Sequence, residues 1–458
     1  MRLLVTNTHS LQAYSITRCL RPYAEWIVAT LSGGRPLGFW PIEHAAYSRL
    51  IDRRYRVPDP ETDWMAGRIQ PENTALEEAF IARILEICAR ENIDTIFPSN
   101  DAWVYVFSKN KARLEAQGIV IPVPELHTVI TPLDKYQTIL AAGKVGFPSP
   151  ETHLAESDEV VRRIAHNVPP PWIIKLRFTT GRRGMALVKD ADELVEKCRT
   201  TRARHGAPMI QDYIPGQQNE SSYLVLDRDR RVVSAVTVRN RRRCSHVFRS
   251  EASACETVPN GPFVEKAIAL AQHINWWGGI TVQHKVDPRD GQPKLMEINP
   301  RLGLNLWYRT ELGINEPLMC LQIARGEKPK PEAASNYPHG YLLLKPFEDF
   351  ICLPLDLIGL ATDRFRTDVL ERHGMDPLTG RLSMKKCLGC YWDDYFGKRK
   401  RCLTPYFRYA REDPLPLTIW ISRMAASFLD GLGRRLGRRL LSVVSKKPSA
   451  KPASAVGD

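Results

Sequence analysis

The sequence predicts two α/β architectures in succession. A parallel α/β lobe occupies residues 1–128, a mixed α+β region follows it, and basic charge gathers towards the C-terminal end. Three observations carry this reading. Short apolar runs alternate with helical periodicity in the first lobe, which is the pattern of a parallel sheet. From residue 209 onward, apolar runs follow one another with only turns between them, which is the pattern of antiparallel strands. The formal charge of +14 is uneven: residues 398–458 hold 14 Lys/Arg against 4 Asp/Glu, leaving +4 for everything before them. The basic character therefore belongs to the tail, and a nucleic-acid-binding body is not implied.

In chain order, Leu3-Leu4-Val5 forms a strand, residues 10–20 a helix, and Trp26-Ile27-Val28-Ala29-Thr30 a second strand. A helix over about 74–90 carries Phe80, Ile81, Ile84, Leu85 and Cys88 at helical spacing, and Thr95-Ile96-Phe97 is the next strand. No Gly-x-Gly-x-x-Gly follows the first strand, so a dinucleotide site has no support. Thr131-Pro132-Leu133-Asp134 reads as a helix start, with Thr131 as N-cap and Pro132 at the first helical position. That helix ends near Gly143. Residues 173–188 read as strand, loop, strand, and a helix over 190–205 is closed by Gly206. Residues 209–214, 222–227 and 232–239 read as an antiparallel meander, and Pro262 opens a helix to about Trp276.

A hairpin follows. Ile280-Thr281-Val282-Gln283-His284-Lys285-Val286 is one strand, 287–293 a polar turn, and Lys294-Leu295-Met296-Glu297-Ile298 the return. Pairing Val286 with Lys294 sets Gln283 opposite Glu297 and Thr281 opposite Asn299. Glu297 and Asn299 then share a face, and directly opposed Cβ atoms lie about 4.5–5.5 Å apart. Three oxygen ligands converge, with Arg301 just beyond. Hard oxygen donors beside a cation suit Mg²⁺ carrying nucleotide phosphates.

A second feature lies upstream. Ile173-Ile174-Lys175 enters the loop 176–184, where Gly181 and Gly184 let backbone N–H groups approach a phosphate. Lys175 supplies a point charge for phosphate oxygens. The loop is not a P-loop, because Gly-x-x-x-x-Gly-Lys-Ser/Thr is missing and a strand follows.

Over roughly residues 1–327 this ordered set resembles the ATP-grasp superfamily, nearest its carboxylate–amine ligase and carbamoyl-phosphate-synthase branch. The resemblance implies a Rossmann-like pre-ATP-grasp lobe (1–128) and a small lobe with the phosphate loop (129–207). A large lobe with the metal site (208–327) and the C-terminal basic extension (328–458) complete the chain. Lys135 and Lys175 match the family's two nucleotide lysines. Ile210-Gln211-Asp212-Tyr213-Ile214-Pro215-Gly216 resembles the hinge strand that contacts adenine through Gln211, Asp212 and Ile214. Glu220 resembles the acid on the ribose, Gln283, Glu297 and Asn299 the magnesium ligands, and Arg301 the arginine on the transferring phosphate. The chain departs from the family at Gln211-Asp212, where a glutamate is usual. It carries one set of motifs, which excludes a tandem carbamoyl-phosphate synthase.

The implied activity is a ligase using ATP and Mg²⁺, with Mn²⁺ an alternative ion. It phosphorylates a small carboxylate to an acylphosphate that an amine then displaces, with Lys175 and Arg301 catalytic and loop 176–184 as a lid. An ATP-grasp enzyme acting on a different acceptor, or a non-catalytic nucleotide-binding scaffold at a membrane surface, are the alternatives. No nucleic-acid partner is expected. Arg239 and Arg241 read as a solvated strand end ahead of a site for an acidic substrate.

In the extension, residues 353–360 form an apolar run containing Asp356, expected as core. Cys387 and Cys390, with His373 and Cys402 near in sequence, suit either ordinary thiols or a metal pair. Residues 417–444 place Leu417, Ile421, Met424, Phe428, Leu432, Leu436 and Leu440 at helical spacing among Arg434, Arg435, Arg438 and Arg439. Such a basic amphipathic helix lies on an anionic bilayer or packs on the body. Residues 446–458 are expected to be disordered. The first residues turn polar too early for a signal peptide, and no run of about 18 uncharged apolar residues occurs. The ten Cys are scattered. A cytoplasmic protein, peripheral at the inner membrane face if the tail binds lipid, is the expectation.

Overall fold

Ser10 accepts a hydrogen bond from the Ala13 N–H and starts the helix Leu11–Leu20. Thr74 and Glu77 bond each other's backbone N–H groups and start Ala75–Glu91. These two capped helices separate the strands of a parallel sheet. The computed structural model describes residues 1–458 except 33–42, 68, 180–182, 216–218, 244–251, 330–335, 363–364, 377–378, 424 and 426–458. The first sheet has the order Arg53–Arg56, Trp26–Leu31, Arg2–Val5, Thr95–Phe97, all parallel. The strand Arg53–Arg56 is absent from the sequence reading because Arg-Arg-Tyr-Arg has no apolar run; it is a charged edge strand.

A second, antiparallel sheet runs Thr152–Leu154, Met209–Asp212, Trp172–Lys175, Ala186–Val188. Helices Asp158–Asn167 and Ala191–His205 bury Val161, Ile164, Leu194 and Cys198 against Trp172 and Ile174. Gly206, at φ +76°, ends the second helix. Met209–Asp212 was expected to open a meander with the strands that follow it. It pairs instead with strands far upstream, a non-local choice that turn patterns do not encode. The expected helix start at Thr131 is also corrected. Pro132 lies in the last turn of Leu126–Leu133, and Asp134, in extended backbone, caps the next helix, Lys135–Lys144, by accepting from the Tyr136 N–H at 3.0 Å.

The central sheet has seven strands in the order Pro293–Asn299, Gly278–Val286, Asn219–Leu226, Val232–Arg243, Ala252–Val258, Leu342–Leu344, Arg401–Leu403. All pairs are antiparallel except the last. One face buries Leu224, Val282, Leu295 and Ile298 against Phe263 and Leu270 of helix Pro262–His273. The other buries Val225, Val236, Leu302 and Leu306.

The extension supplies two of these strands, so its first part is built into the body. Helices Pro346–Thr362, Arg366–Arg372 and Met384–Phe396 are fastened to the sheet by Arg242. Its guanidinium is 1% exposed and lies 2.6 Å from both Asp349 and Asp394. Asp356 in turn binds Arg372 at 3.0 Å and accepts from Tyr391 at 2.8 Å. The run 353–360 is therefore not simple core: Asp356 is buried while Pro354 and Ile358 face outward. The acids turn inward because the arginines they serve are inside.

Residues 414–423 are helical, and Leu417 and Trp420 pack on the body, with Trp420 stacked 5.5 Å from Tyr406. The rest of the expected amphipathic helix, including Met424, Phe428, Leu432, Leu436 and Leu440, lies outside the described residues. No helix among the described residues is long and apolar enough to cross a membrane.

Candidate functional site

Leu295 and Ile298 both point into the core, yet strict alternation would put three-apart residues on opposite faces. The strand resolves this conflict with a bulge. Thr281 pairs with Asn299, Val282 with Ile298 and Gln283 with Glu297, but His284 then pairs with Leu295 and Val286 with Pro293. The expected Val286–Lys294 pairing is thus wrong by one residue at the turn, while the pairing at the other end stands. Gln283, Glu297 and Asn299 are half-buried on the face opposite Val282 and Ile298.

Neither the Gln283 nor the Glu297 side chain has a hydrogen-bond or ion-pair partner among the described residues. Asn299 accepts from Arg301 Nη2 at 3.2 Å. Arg301 Nε lies 2.8 Å from Asp101 Oδ1, at the start of helix Asp101–Lys109 in the first lobe. Gln12 donates to the Leu302 carbonyl from the same lobe. A Cβ on Gly303 would stand 2.1 Å from the Tyr223 ring, so only glycine lets this loop lie flat on the sheet. Asp101 was not singled out from the sequence. The available signal was its place just after the strand Thr95–Phe97, since parallel sheets gather ligands at their strand carboxyl ends.

Lys135 Nζ donates to the Thr179 carbonyl at 2.6 Å and so holds the base of the phosphate loop. Arg177 pairs with Asp134, the cap of the same helix. Gly184 has φ +67°, and a Cβ there would meet the Leu176 side chain at 2.7 Å. Arg183 reaches the first lobe, 3.6 Å from Glu61. Gly181 lies outside the described residues. Lys175 ends its strand on the side of Lys285, whose charge it disfavours.

At the adenine end expected from the resemblance, Gln211 is buried and donates to Thr152 at 2.8 Å, while its Oε1 has no partner among the described residues. Asp212 is bound to Arg289 at 2.8 Å. The Ile214 carbonyl accepts from Lys285 Nζ. Lys285 also lies 5.3 Å from the Tyr213 ring. Burial, then the neighbouring Arg243, pull its pKa down to about 8. This third lysine escaped the sequence reading because it sits inside an alternating strand.

Glu220 is not free. Arg239 lies 2.7 Å from it and His284 Nε2 3.3 Å. Burial pushes the Glu220 carboxyl up, but the bonds from His284 and Arg239 outweigh it and hold the pKa below the usual value. Arg239 and Arg241 are accordingly engaged within the protein: Arg241 lies 2.9 Å from Asp394 and 3.2 Å from Glu256. Cys387 lies 3.5 Å from His373 Nε2, which is 2.8 Å from Asp356. Cys402 is elsewhere, in the core with Leu343. Asp356 already accepts from Arg372 and Tyr391, so this cluster is a filled polar network.

Residues 134–307 match the family model "Carbamoyl-phosphate synthase L chain, ATP binding domain". The chain is 27% identical to human carnosine synthase 1 over 211 residues, covering 40% of this chain and 25% of that protein. It is 21% identical to the carbamoyl phosphate synthase large chain of Methanobrevibacter smithii over 233 residues, covering 48% and 22%. The chain thus spans about a quarter of the length of these curated relatives. In fold it is similar to a biotin carboxylase–β-γ-ATP complex from Campylobacter jejuni, with TM-score 0.58, 16% identity and 73% of each chain covered. It is also similar to the biotin carboxylase domain of Hydrogenobacter thermophilus 2-oxoglutarate carboxylase bound to MgADP and bicarbonate. That match has TM-score 0.56 and 14% identity, covering 72% of this chain and 70% of that one.

Proposed function

We propose that residues 134–307, which match the carbamoyl-phosphate synthase ATP-binding family model, form an ATP-grasp domain and that the chain is an ATP-dependent carboxylate–amine ligase. The observation that carries this reading is the pair of oxygen donors without partners, Gln283 and Glu297, beside Asn299 and Arg301. A partly buried carboxylate without a cation is costly unless a ligand completes it. Gln283, Glu297 and Asn299 fit Mg²⁺, or Mn²⁺, which when bound neutralises charge on the nucleotide's phosphates.

The chain's own groups do the rest. Lys135 and Lys175 hold phosphate oxygens, with Gly184 leaving the backbone accessible beside them. The hinge residues Gln211, Asp212 and Ile214 border the base. Glu220 takes the ribose by sharing its carboxylate with Arg239. Arg301, oriented by Asp101, faces the charge that spreads as the phosphoryl group transfers. A substrate carboxylate oxygen attacks the γ-phosphorus and ADP leaves. The amine then attacks the acyl carbon, inorganic phosphate leaves and the nitrogen gives up a proton. Positioning supplies most of the rate, because the carboxylate is already a competent nucleophile.

We place the protein in a reducing, cytoplasmic setting, supported by ten Cys scattered along the sequence rather than grouped in a disulfide framework. The test is release of ADP and phosphate with pooled carboxylates crossed against pooled amines. Release should require both pools and fall at least about 100-fold in Glu297→Gln. Release that survives this substitution at the wild-type rate removes the metal assignment.

A further inference from the structure

Two helices of the extension are built inside out. In Pro346–Thr362 the acids Glu348, Asp349 and Asp356 are buried, while Phe350 is 78% and Ile358 53% exposed. In Met384–Phe396 the residues Met384, Leu388, Trp392 and Phe396 recur every four positions and form one row along the helix. Leu388 is 46%, Trp392 68% and Phe396 70% exposed. The Trp392 and Phe396 rings lie 4.6 Å apart, which makes them one aromatic ridge. The helices pack on each other through Asp349 with Tyr395 and Asp356 with Tyr391. An apolar surface of this kind marks a docking face.

Its charges indicate what docks. Lys385 and Lys386 are exposed on the second helix, and Lys398 and Lys400 are exposed directly after it. The exposed acid on that helix, Asp393, lies 3.8 Å from Arg241 and 3.9 Å from Arg399. A second copy docked through this face would bring the lysines of both copies together. An anionic bilayer meets both halves of the chemistry: head groups take the lysines, and Trp392 and Phe396 enter the interfacial zone that aromatic side chains prefer. We infer that the helices Pro346–Thr362 and Met384–Phe396 form an interfacial docking surface for an anionic phospholipid bilayer.

This surface is distinct from the tail. Residues 426–458 carry seven further Lys/Arg against two Asp, and they follow the docking surface in the chain. The test separates the two. The full chain is floated with phosphatidylcholine vesicles and with vesicles containing phosphatidylglycerol. It is compared with L388S/W392S/F396S and with a chain lacking 426–458. Flotation should need the anionic lipid. The triple variant should lose at least about tenfold in partitioning with its melting temperature unchanged, since three apolar side chains leave the interface. The shortened chain should keep a component that the triple substitution removes. Three results overturn the inference: no flotation of the full chain, equal flotation of the triple variant, or a concentration-dependent dimer by light scattering that the same substitutions dissolve. None of them bears on the ligase reading.

Discussion

Lys285, which no motif names, brings several charges of the candidate site together. Its ammonium donates to the hinge carbonyl of Ile214 while Arg243 and Lys175 stand near it, and burial adds to their effect. With a folded pKa of about 8 against an ordinary 10.5, the folded state binds the proton less readily than the unfolded chain. Its contribution to stability therefore rises as pH climbs between those values. Nitrogen-detected NMR of the lysine side chains should show one Nζ titrating near pH 8 that vanishes in Lys285→Met. Titration of every lysine in the ordinary range would sink the assignment. At Gly303 the expectation is steric. Gly303→Ala drives a methyl into the Tyr223 ring and should cost about 1–3 kcal/mol in urea unfolding, unless the loop shifts and moves Arg301 with it.

Among elements, the joint between the extension and the central sheet rests on Arg242. Removing it leaves Asp349 and Asp394 buried without their shared cation, so Arg242→Met should destabilise the protein by about 3–5 kcal/mol. Burial raises the Asp349 carboxyl, but Arg242 outweighs it and holds the pKa below the usual aspartate value. Stability from this pair is present above the unfolded-state pKa and disappears as pH falls through the lower folded one. Acid titration of unfolding should show that loss, and Asp349→Asn should flatten it. None of this joint was legible in the sequence. Arg239 and Arg241 read as a solvated strand end, and Asp349 and Asp394, which hold Arg242 between them, lie 107 and 152 residues downstream of it. For the same reason 353–360 reads as core, since nothing local says that Asp356 must face inward. Local features read well: the helices over 10–20 and 74–90, the parallel order of the first lobe, and the facing of Gln283 with Glu297. The bulge past Gln283 is a local feature that was missed. Its signal was the clash between Leu295 and Ile298 as core residues three apart.

On the scale of the molecule, the first lobe and the central sheet meet at one loop. Arg301 is held from the first lobe by Asp101, and the loop carbonyl at Leu302 by Gln12. Asp101→Asn should lower turnover by about tenfold with little change in nucleotide affinity, because the guanidinium loses its orientation and keeps its charge. Equal losses in both would make Asp101 a structural support only.

The central sheet's last two strands have a practical consequence. The family-model match stops at residue 307, and a biochemist cloning by that match would cut there. That fragment would expose the Ala252–Val258 ladder normally covered by Leu342–Leu344. An uncovered apolar edge recruits other chains. The shortened protein should collect in inclusion bodies, while one ending after Arg401–Leu403 keeps the edge closed. The catalytic unit is thus not a portable cassette: a swap between relatives has to carry these strands across as well.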